Sequence, residues 1–438
     1  MDIPESYGLS WPGKADAAAR AQLPPKGSLT IDEDEGVHDQ ASRNVFVEGD
    51  NLDALKLLMP DLEGLVDLIY IDPPYNTGNR FTYEDARTQS DWLNMMYPRL
   101  ILGASTLKPG GVGMVSIDSN QLAHLRLMLE EIVGPANVFA TIAWVSNLKG
   151  RQIGAGGPVG THEYIVCFAR DASLIPQFRA DAEDLHDLMP ALYRQTRRQI
   201  RSDEHGEYVC KNQLYNTNSK FNEHTAPTMV YTIHYDPATG DIRLTDVGDP
   251  RRFDGYLVAE PHPNARPEAE WHAWRWSRTK VLEDRHDLEF EVTDDGQLRI
   301  WTKIRDTAGM ALKDVVLGPS TVTGQRDLAD LGLARAFETP KPVALLSTLI
   351  RAAAPADATV LDFFAGSGST GHAVMAANAQ DGGSRRFVLV QSPEPTSAGG
   401  TARHLGFETI AQLARERLRR SAAKIGDSGD FQALKVGS

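Results

Sequence analysis

Asp72-Pro73-Pro74-Tyr75 closes the apolar run VDLIYI, and these residue types suit the capture of a planar group that carries an NH2. Two prolines stiffen the backbone and remove N–H donors, which leaves carbonyls to accept. A carboxylate and carbonyls accept from an amine, and a tyrosine ring stacks on a heterocycle. The plain alternative is a proline-rich turn with a packed tyrosine. A second candidate lies far along the chain, at Asp362-Phe363-Phe364-Ala365-Gly366-Ser367-Gly368-Ser369-Thr370-Gly371. A strand ends there and turns into a helix, glycines admit a ligand close to the backbone, and the helix start offers free N–H groups. The spelling also fits the dinucleotide fingerprint G-x-G-x-x-G. An NAD site would want an acid at the end of the next strand. That strand, RRFVLVQ, ends at Gln391.

The elements that must position these residues are legible from periodicity. NVFVEGD reads as a short strand ending at Gly49-Asp50, and LDALKLLMPDL as a helix. SDWLNMMYPRLILGAST reads as a helix stopped by Lys108-Pro109-Gly110-Gly111, VGMVSID as a buried strand, NQLAHLRLMLEEIVG as a helix, and NVFATIAWVSN and HEYIVCFAR as two more strands. The rhythm breaks over 171–338, a polar, turn-rich stretch that holds most of the tryptophans, and returns at KPVALLSTLIRAAA. Strands alternating with helices predict an α/β protein with a doubly wound parallel or mixed sheet. The expected layout is an N-terminal arm, a solvated lead-in, over 1–43, then an α/β catalytic half over 44–170. An inserted α+β domain over 171–338 precedes a second α/β half with a C-terminal helix over 339–438.

Composition narrows the class. The chain has 438 residues with 41% apolar and 24% charged residues, ordinary globular values that exclude a disordered, collagenous or coiled-coil protein. Cys167 and Cys210 stand apart with no His/Cys cluster, and His162, His262 and His272 lack ligand spacing, so neither a disulfide framework nor a metal site is expected. A basic n-region followed by an apolar stretch is missing at the start, as is an apolar run of membrane-spanning length, so a cytoplasmic protein is expected. The net charge of −14 disfavours a uniformly nucleic-acid-attracting surface and leaves room for a local basic channel.

DPPY after an apolar strand, with DFFAGSGST downstream, resembles the β-class DNA amino-methyltransferases that use S-adenosylmethionine (SAM). VEGDNLDALKLL, DLIYIDPPYNTGN, HEYIVCFAR, WRWSRTKV, ETPKPVALLSTLI and RRFVLVQSPEP are similar to the modification subunit of type III restriction-modification systems. The resemblance covers most of residues 44–425 and implies a Rossmann-like, circularly permuted methyltransferase sheet with an inserted target-recognition domain. It implies methylation of adenine N6 in DNA by base flipping and in-line transfer, without metal or covalent intermediate.

Carried over residue by residue, the resemblance implies that Asp72 and Pro73 hold the target amine, with the Pro74 backbone beside them and Tyr75 stacked on the flipped base. Asp362 would face the methionine ammonium, Phe363 and Phe364 the adenosyl group, and Ala365, Gly366, Ser367, Gly368 and Thr370 would form the surrounding turn. Lys341-Pro342 matches the adjacent cofactor motif, and Asp50 lies where the family places a strand end near the cofactor adenine. Gln391 departs from the ribose-gripping acid of most relatives, although type III-like members also carry Gln.

Substrate contacts are expected from Tyr75 and Asn76, with Thr77 shaping the same loop and Asn79-Arg80 reaching phosphate. Trp144 is either a second wall of the base pocket or a core aromatic, in even balance. In the insertion, Arg194, Arg197, Arg198, Arg201, Lys211 and Lys220 form one basic group; Trp271, Trp274, Arg275, Trp276, Arg278 and Lys280 mix aromatic and basic side chains. For any single arginine, a solvated surface role is the plainer reading. Expected partners are double-stranded DNA, a second copy of the chain and a nuclease-helicase restriction subunit. The alternatives are cytosine-N4 methylation, an NAD-type dehydrogenase, a non-catalytic recognition subunit and methylation of RNA or protein.

Overall fold

Every residue of VDLIYI is buried, and successive side chains point to opposite faces as a strand requires. Leu68 and Tyr70 enter one core and Ile69 and Ile71 the other; Val66 joins the second set because the register shifts between Val66 and Leu68. The computed structural model describes residues 8–32, 35, 43–78, 87–150, 158–189, 200–294, 296–305, 309–427 and 430–437. Two units result, one of Met1–Arg194 with Met310–Ser438, the other of Gln195–Gly309.

The first unit begins with α1 (Lys14–Gln22), β1 (Ser28–Ile31), β2 (Val45–Glu48), α2 (Asn51–Leu62), β3 (Val66–Ile71), α3 (Gln89–Thr106) and β4 (Leu107–Ile117). It continues with α4 (Leu122–Val133), β5 (Ala140–Trp144), β6 (Glu163–Ala169), β7 (Arg179–Ala180) and α5 (Ala182–Leu188). The second unit supplies β8 (Arg201–Asp203), β9 (Gly206–Gln213), β10 (Thr232–Tyr235), β11 (Ile242–Thr245), β12 (Leu257–Ala259), α6 (Arg278–Glu283), β13 (Leu288–Val292) and β14 (Leu298–Ile304). The first unit resumes with β15 (Met310–Ala311), β16 (Val315–Val316), α7 (Thr321–Ala329), α8 (Val343–Ala353), β17 (Thr359–Asp362) and α9 (Ser369–Asp381). It ends with β18 (Arg386–Gln391), α10 (Thr401–His404), α11 (Ile410–Ile425) and β19 (Gln432–Gly437).

Among the described residues a ten-stranded sheet runs in the order β1-β19-β2-β18-β17-β3-β4-β6-β5-β16. The stretch from β19 to β4 is parallel throughout, while β6 pairs antiparallel with β4 and β5. Helices cover both faces, as a buried parallel sheet demands. Leu55 and Leu58 of α2, Trp92 and Met96 of α3 and Leu125 of α4 fill one core. Leu346 and Leu349 of α8, Val374 of α9 and Leu418 of α11 fill the other. This is the doubly wound α/β sheet expected, with the strand carrying DPPY placed earlier in the chain than the strand carrying the Gly-rich turn. Among the described residues no helix is long and apolar enough to cross a membrane.

Three expectations are corrected. The lead-in over 1–43 is not a solvated tail where it is described. Ala17 and Ala21 of α1 are buried, Trp11 meets Tyr97 edge-on at 5.2 Å, and β1 pairs antiparallel with β19. Its Pro- and acid-rich composition hid a short amphipathic helix. The last segment does not end in a helix, because β19 lies parallel to β2. The insertion is narrower than 171–338. β7 pairs with β15 and β16 with β5, and Leu185, Leu188 and Val316 join the sheet's core, so both flanks belong to the first unit. Apolar residues in short polar-flanked runs gave these flanks no periodic signal.

The second unit builds its own sheets, β13-β14-β9-β8 and β11-β10-β12. Its core gathers Leu214, Tyr231, Ile233, Trp274, Val281 and Ile300.

Candidate active site

β3 and β17 are parallel neighbours, with Leu68 opposite Val360 and Ile69 opposite Leu361. Their carboxyl ends therefore bring Asp72 and Asp362 to one edge of the sheet, where α/β folds bind ligands. The two acids lie close enough for the charge on Asp72 to push the Asp362 carboxyl upward. A single cavity at this edge is lined by Asp50, Asp72, Pro74, Lys341, Asp362 to Ser367, Thr370 and Gln391.

At the DPPY end, the Pro74 carbonyl accepts from Trp92 Nε1 at 2.7 Å, which ties the loop to α3. Asn76 adopts a left-handed φ of 58°, and its side-chain oxygen accepts from the Arg87 N–H at 2.7 Å. Asp72 accepts from Tyr75 Oη at 2.8 Å on one oxygen and from Lys341 Nζ at 2.8 Å on the other. Lys341 Nζ also reaches Tyr75 Oη at 3.0 Å and the Glu163 carboxylate at 3.5 Å. Two carboxylates thus share one ammonium and one phenol. Burial, reinforced by Glu163, raises the Asp72 carboxyl despite the opposing pull of Lys341. Burial alone would lower Lys341, but Asp72 and Glu163 hold its ammonium above the usual value. Burial and the two acids push the Tyr75 phenol well above its normal range, so it remains a donor.

At the Gly-rich end, Asp362 accepts from Thr370 Oγ1 at 2.6 Å and from the Phe364 N–H at 2.9 Å. Burial nevertheless lifts its carboxyl to about 7. Gly366 and Gly368 take left-handed φ values of 53° and 78°, which a side chain would resist, and Gly368 opens α9. Gln391 Oε1 accepts from the Gly366 N–H at 2.7 Å, so this side chain braces the turn. Asp50 caps α2 by accepting from the Leu52 N–H at 2.9 Å and pairs with Arg99 at 2.9 Å. Pro342 precedes α8, and Val343 donates its N–H to Asp327 at 2.8 Å.

The structure does not gather every expected residue at the cavity. Trp144 is fully buried, donates from Nε1 to the Pro319 carbonyl at 2.9 Å and takes the core position rather than a pocket wall. Arg275 Nε donates to the Tyr215 carbonyl at 3.0 Å, and Arg278 pairs with Asp246 beside the Tyr231 ring. Both belong to the second unit. Asn79, Arg80, Arg194, Arg197 and Arg198 lie outside the described residues, as does the side chain of Lys211. Glu163 was not anticipated, although an acid opening the apolar run HEYIVCFAR was its signal. Asn51, which donates to the Phe363 carbonyl at 2.7 Å, and Arg99, which donates to Asn51, carried no local signal.

Residues 66–413 match the family model described as DNA methylase, of N6 and N4 type. The chain is 30% identical over 474 aligned positions to the EcoPI Mod subunit of a type III restriction-modification enzyme of Escherichia phage P1, covering 99% of this chain and 70% of that protein. It is 32% identical over 421 positions to the StyLTI Mod subunit of Salmonella typhimurium, covering 88% of this chain and 58% of that protein. It is 27% identical over 393 positions to the type II methyltransferase M.KpnI of Klebsiella pneumoniae, covering 87% and 88% respectively. The chain therefore spans from 58% of the StyLTI subunit to 88% of M.KpnI.

Proposed function

This chain belongs to the N6/N4-type DNA methylase family, and we propose that it transfers a methyl group from SAM to the N6 amine of adenine in double-stranded DNA. The observation that carries this reading is the adjacency of Asp72 and Asp362 at the ends of neighbouring parallel strands, on one cavity.

The donor set fits SAM. A buried carboxylate at Asp362 suits an ammonium, the aromatic pair Phe363 and Phe364 suits an adenosyl group, and the Gly-rich turn exposes backbone N–H groups at the start of α9. When bound, SAM supplies a sulfonium methyl for attack by an amine nitrogen, with the thioether as leaving group. Asp72 and the Pro73 carbonyl accept the two amine protons, which draws the lone pair out of the ring and aims it. Asp72 then takes the proton that the methylated amine releases, a role that its burial-raised carboxyl favours. Lys341 and the Tyr75 hydroxyl hold Asp72 in place, and Glu163 anchors both of them from the other side. That leaves the tyrosine ring to stack on a base swung out of the duplex.

The second unit, with its aromatic and basic side chains, is the proposed target-recognition domain, and Arg275 and Arg278 its candidate phosphate contacts. The Mod-subunit names of the relatives support a second proposal, that the chain works with a partner subunit of a restriction-modification enzyme; that this partner is a nuclease-helicase, and that the chain pairs with a second copy, rest on the sequence resemblance alone. Tritiated methyl transfer from SAM to unmethylated genomic DNA, with nucleoside analysis and Asp72→Ala in parallel, tests the central reading. N6-methyladenine from the wild type and none from the variant is expected. N4-methylcytosine would reassign the base, and absence of SAM binding would overturn the reading.

A further inference from the structure

One buried arginine beside the Gly-rich turn has no part in the methyl transfer itself. Arg417 of α11 is fully buried. Its Nη1 donates to Ser367 Oγ at 2.9 Å and to Ser369 Oγ at 2.6 Å. Both serines are themselves buried and line the cavity. The remaining Nε and Nη2 are buried with no hydrogen-bond partner among the described residues. A guanidinium keeps its proton, and burying it without a bonded carboxylate is costly. Asp327 is the acid whose charge favours it, yet Asp327 is engaged by the Val343 N–H and makes no hydrogen bond to Arg417.

Neutral hydroxyls are unusual partners for so deeply buried a cation, and their geometry indicates a relay. A hydroxyl that accepts from the guanidinium keeps its own proton to donate. The two serine oxygens stand 3.5 Å apart, too far for a strong bond between them that would consume one of these protons. The same place is the start of α9, where left-handed Gly368 leaves the helix without a side-chain cap. Free N–H groups and the positive end of the helix dipole therefore meet the two serines and the cation behind them. An anion at this point would satisfy all three.

We propose that Arg417 is a positioning residue for the carboxylate of the cofactor's methionine portion, acting through the hydroxyls of Ser367 and Ser369. The inference rests on SAM as the cofactor. Calorimetric binding to the full chain compares SAM with decarboxylated SAM, which keeps the sulfonium and amine and lacks only the carboxylate. The wild type is expected to favour SAM by about tenfold or more, the scale of a charge-assisted hydrogen bond. Arg417→Met should weaken SAM about tenfold and leave the decarboxylated ligand within about twofold. Ser367→Ala with Ser369→Ala should collapse the preference in the same way, and decides the matter if thermal melting shows that Arg417→Met does not fold. Equal weakening of both ligands, or a wild type that binds both alike, overturns the proposal while leaving the cofactor reading standing. A wild type that binds neither overturns both.

Discussion

Lys341→Met removes the ammonium shared by half-buried Asp72 and buried Glu163. Its Nζ lies 2.8 Å from Asp72 and 3.5 Å from Glu163. At an effective dielectric near 20, those separations correspond to roughly 6 and 5 kcal/mol of attraction. Desolvation of the ammonium cancels part of this, and breaking such a buried pair costs about 3–5 kcal/mol near neutral pH. The loss must depend on pH. Asp72 is already raised above its unfolded value by burial and by Glu163, and Lys341 is what holds it down. In the variant its folded pKa rises further. A carboxyl raised in the folded state stabilises fully below its unfolded pKa and loses that contribution as pH rises through the folded pKa. The destabilisation should therefore be larger at alkaline pH and shrink on acidification. Urea unfolding at a series of pH values reads this directly, and the acid limb of kcat/KM for methyl transfer should move to higher pH. Adding Glu163→Gln removes one uncompensated charge and should recover part of the stability. A loss that is flat with pH, or a double variant no more stable than the single one, would refute the reasoning.

Three further outcomes are expected. Because the Asp362 carboxyl is lifted to about 7 by burial, affinity for cationic SAM should fall below that pH, by up to about tenfold per unit; in Asp362→Asn, titration calorimetry should find weaker and pH-flat binding. A Cβ on Gly324 would overlap the Pro340 carbonyl oxygen beside Lys341. Gly324→Ala should thus cost about 1–3 kcal/mol of stability by overpacking and lower kcat more than it alters the melting of the second unit. Trp92→Phe loses the bond to the Pro74 carbonyl, which should cost about 1 kcal/mol because a half-buried acceptor loses its partner, measured by denaturant midpoint, with a raised KM for DNA.

Much of this protein was readable because local chemistry dictates it. VDLIYI could only be a buried strand, Pro73-Pro74 had to end it, and the glycines of the second motif had to turn a strand into a helix, since Gly366 and Gly368 sit at positive φ. Those constraints act within a few residues and appear as periodicity and spacing. Where the local signal was weak, the reading failed: α1 lay in an Ala-rich, acidic stretch, and β19 lay past a helix that looked final.

The sequence alone determined the types of residue available, the order of strands and helices, and the two motifs with the chemistry their side chains allow. Tertiary structure decided which of them meet. The register that sets Leu68 against Val360 joins Asp72 to Asp362. The start of α8 delivers Lys341, and the antiparallel β6 delivers Glu163, to the same carboxylate. α11 slides Arg417 beneath the serines of the Gly-rich turn. None of these contacts leaves a mark on its own segment, because each depends on how distant elements stack, and a buried charge shows its purpose only once its neighbours are in place.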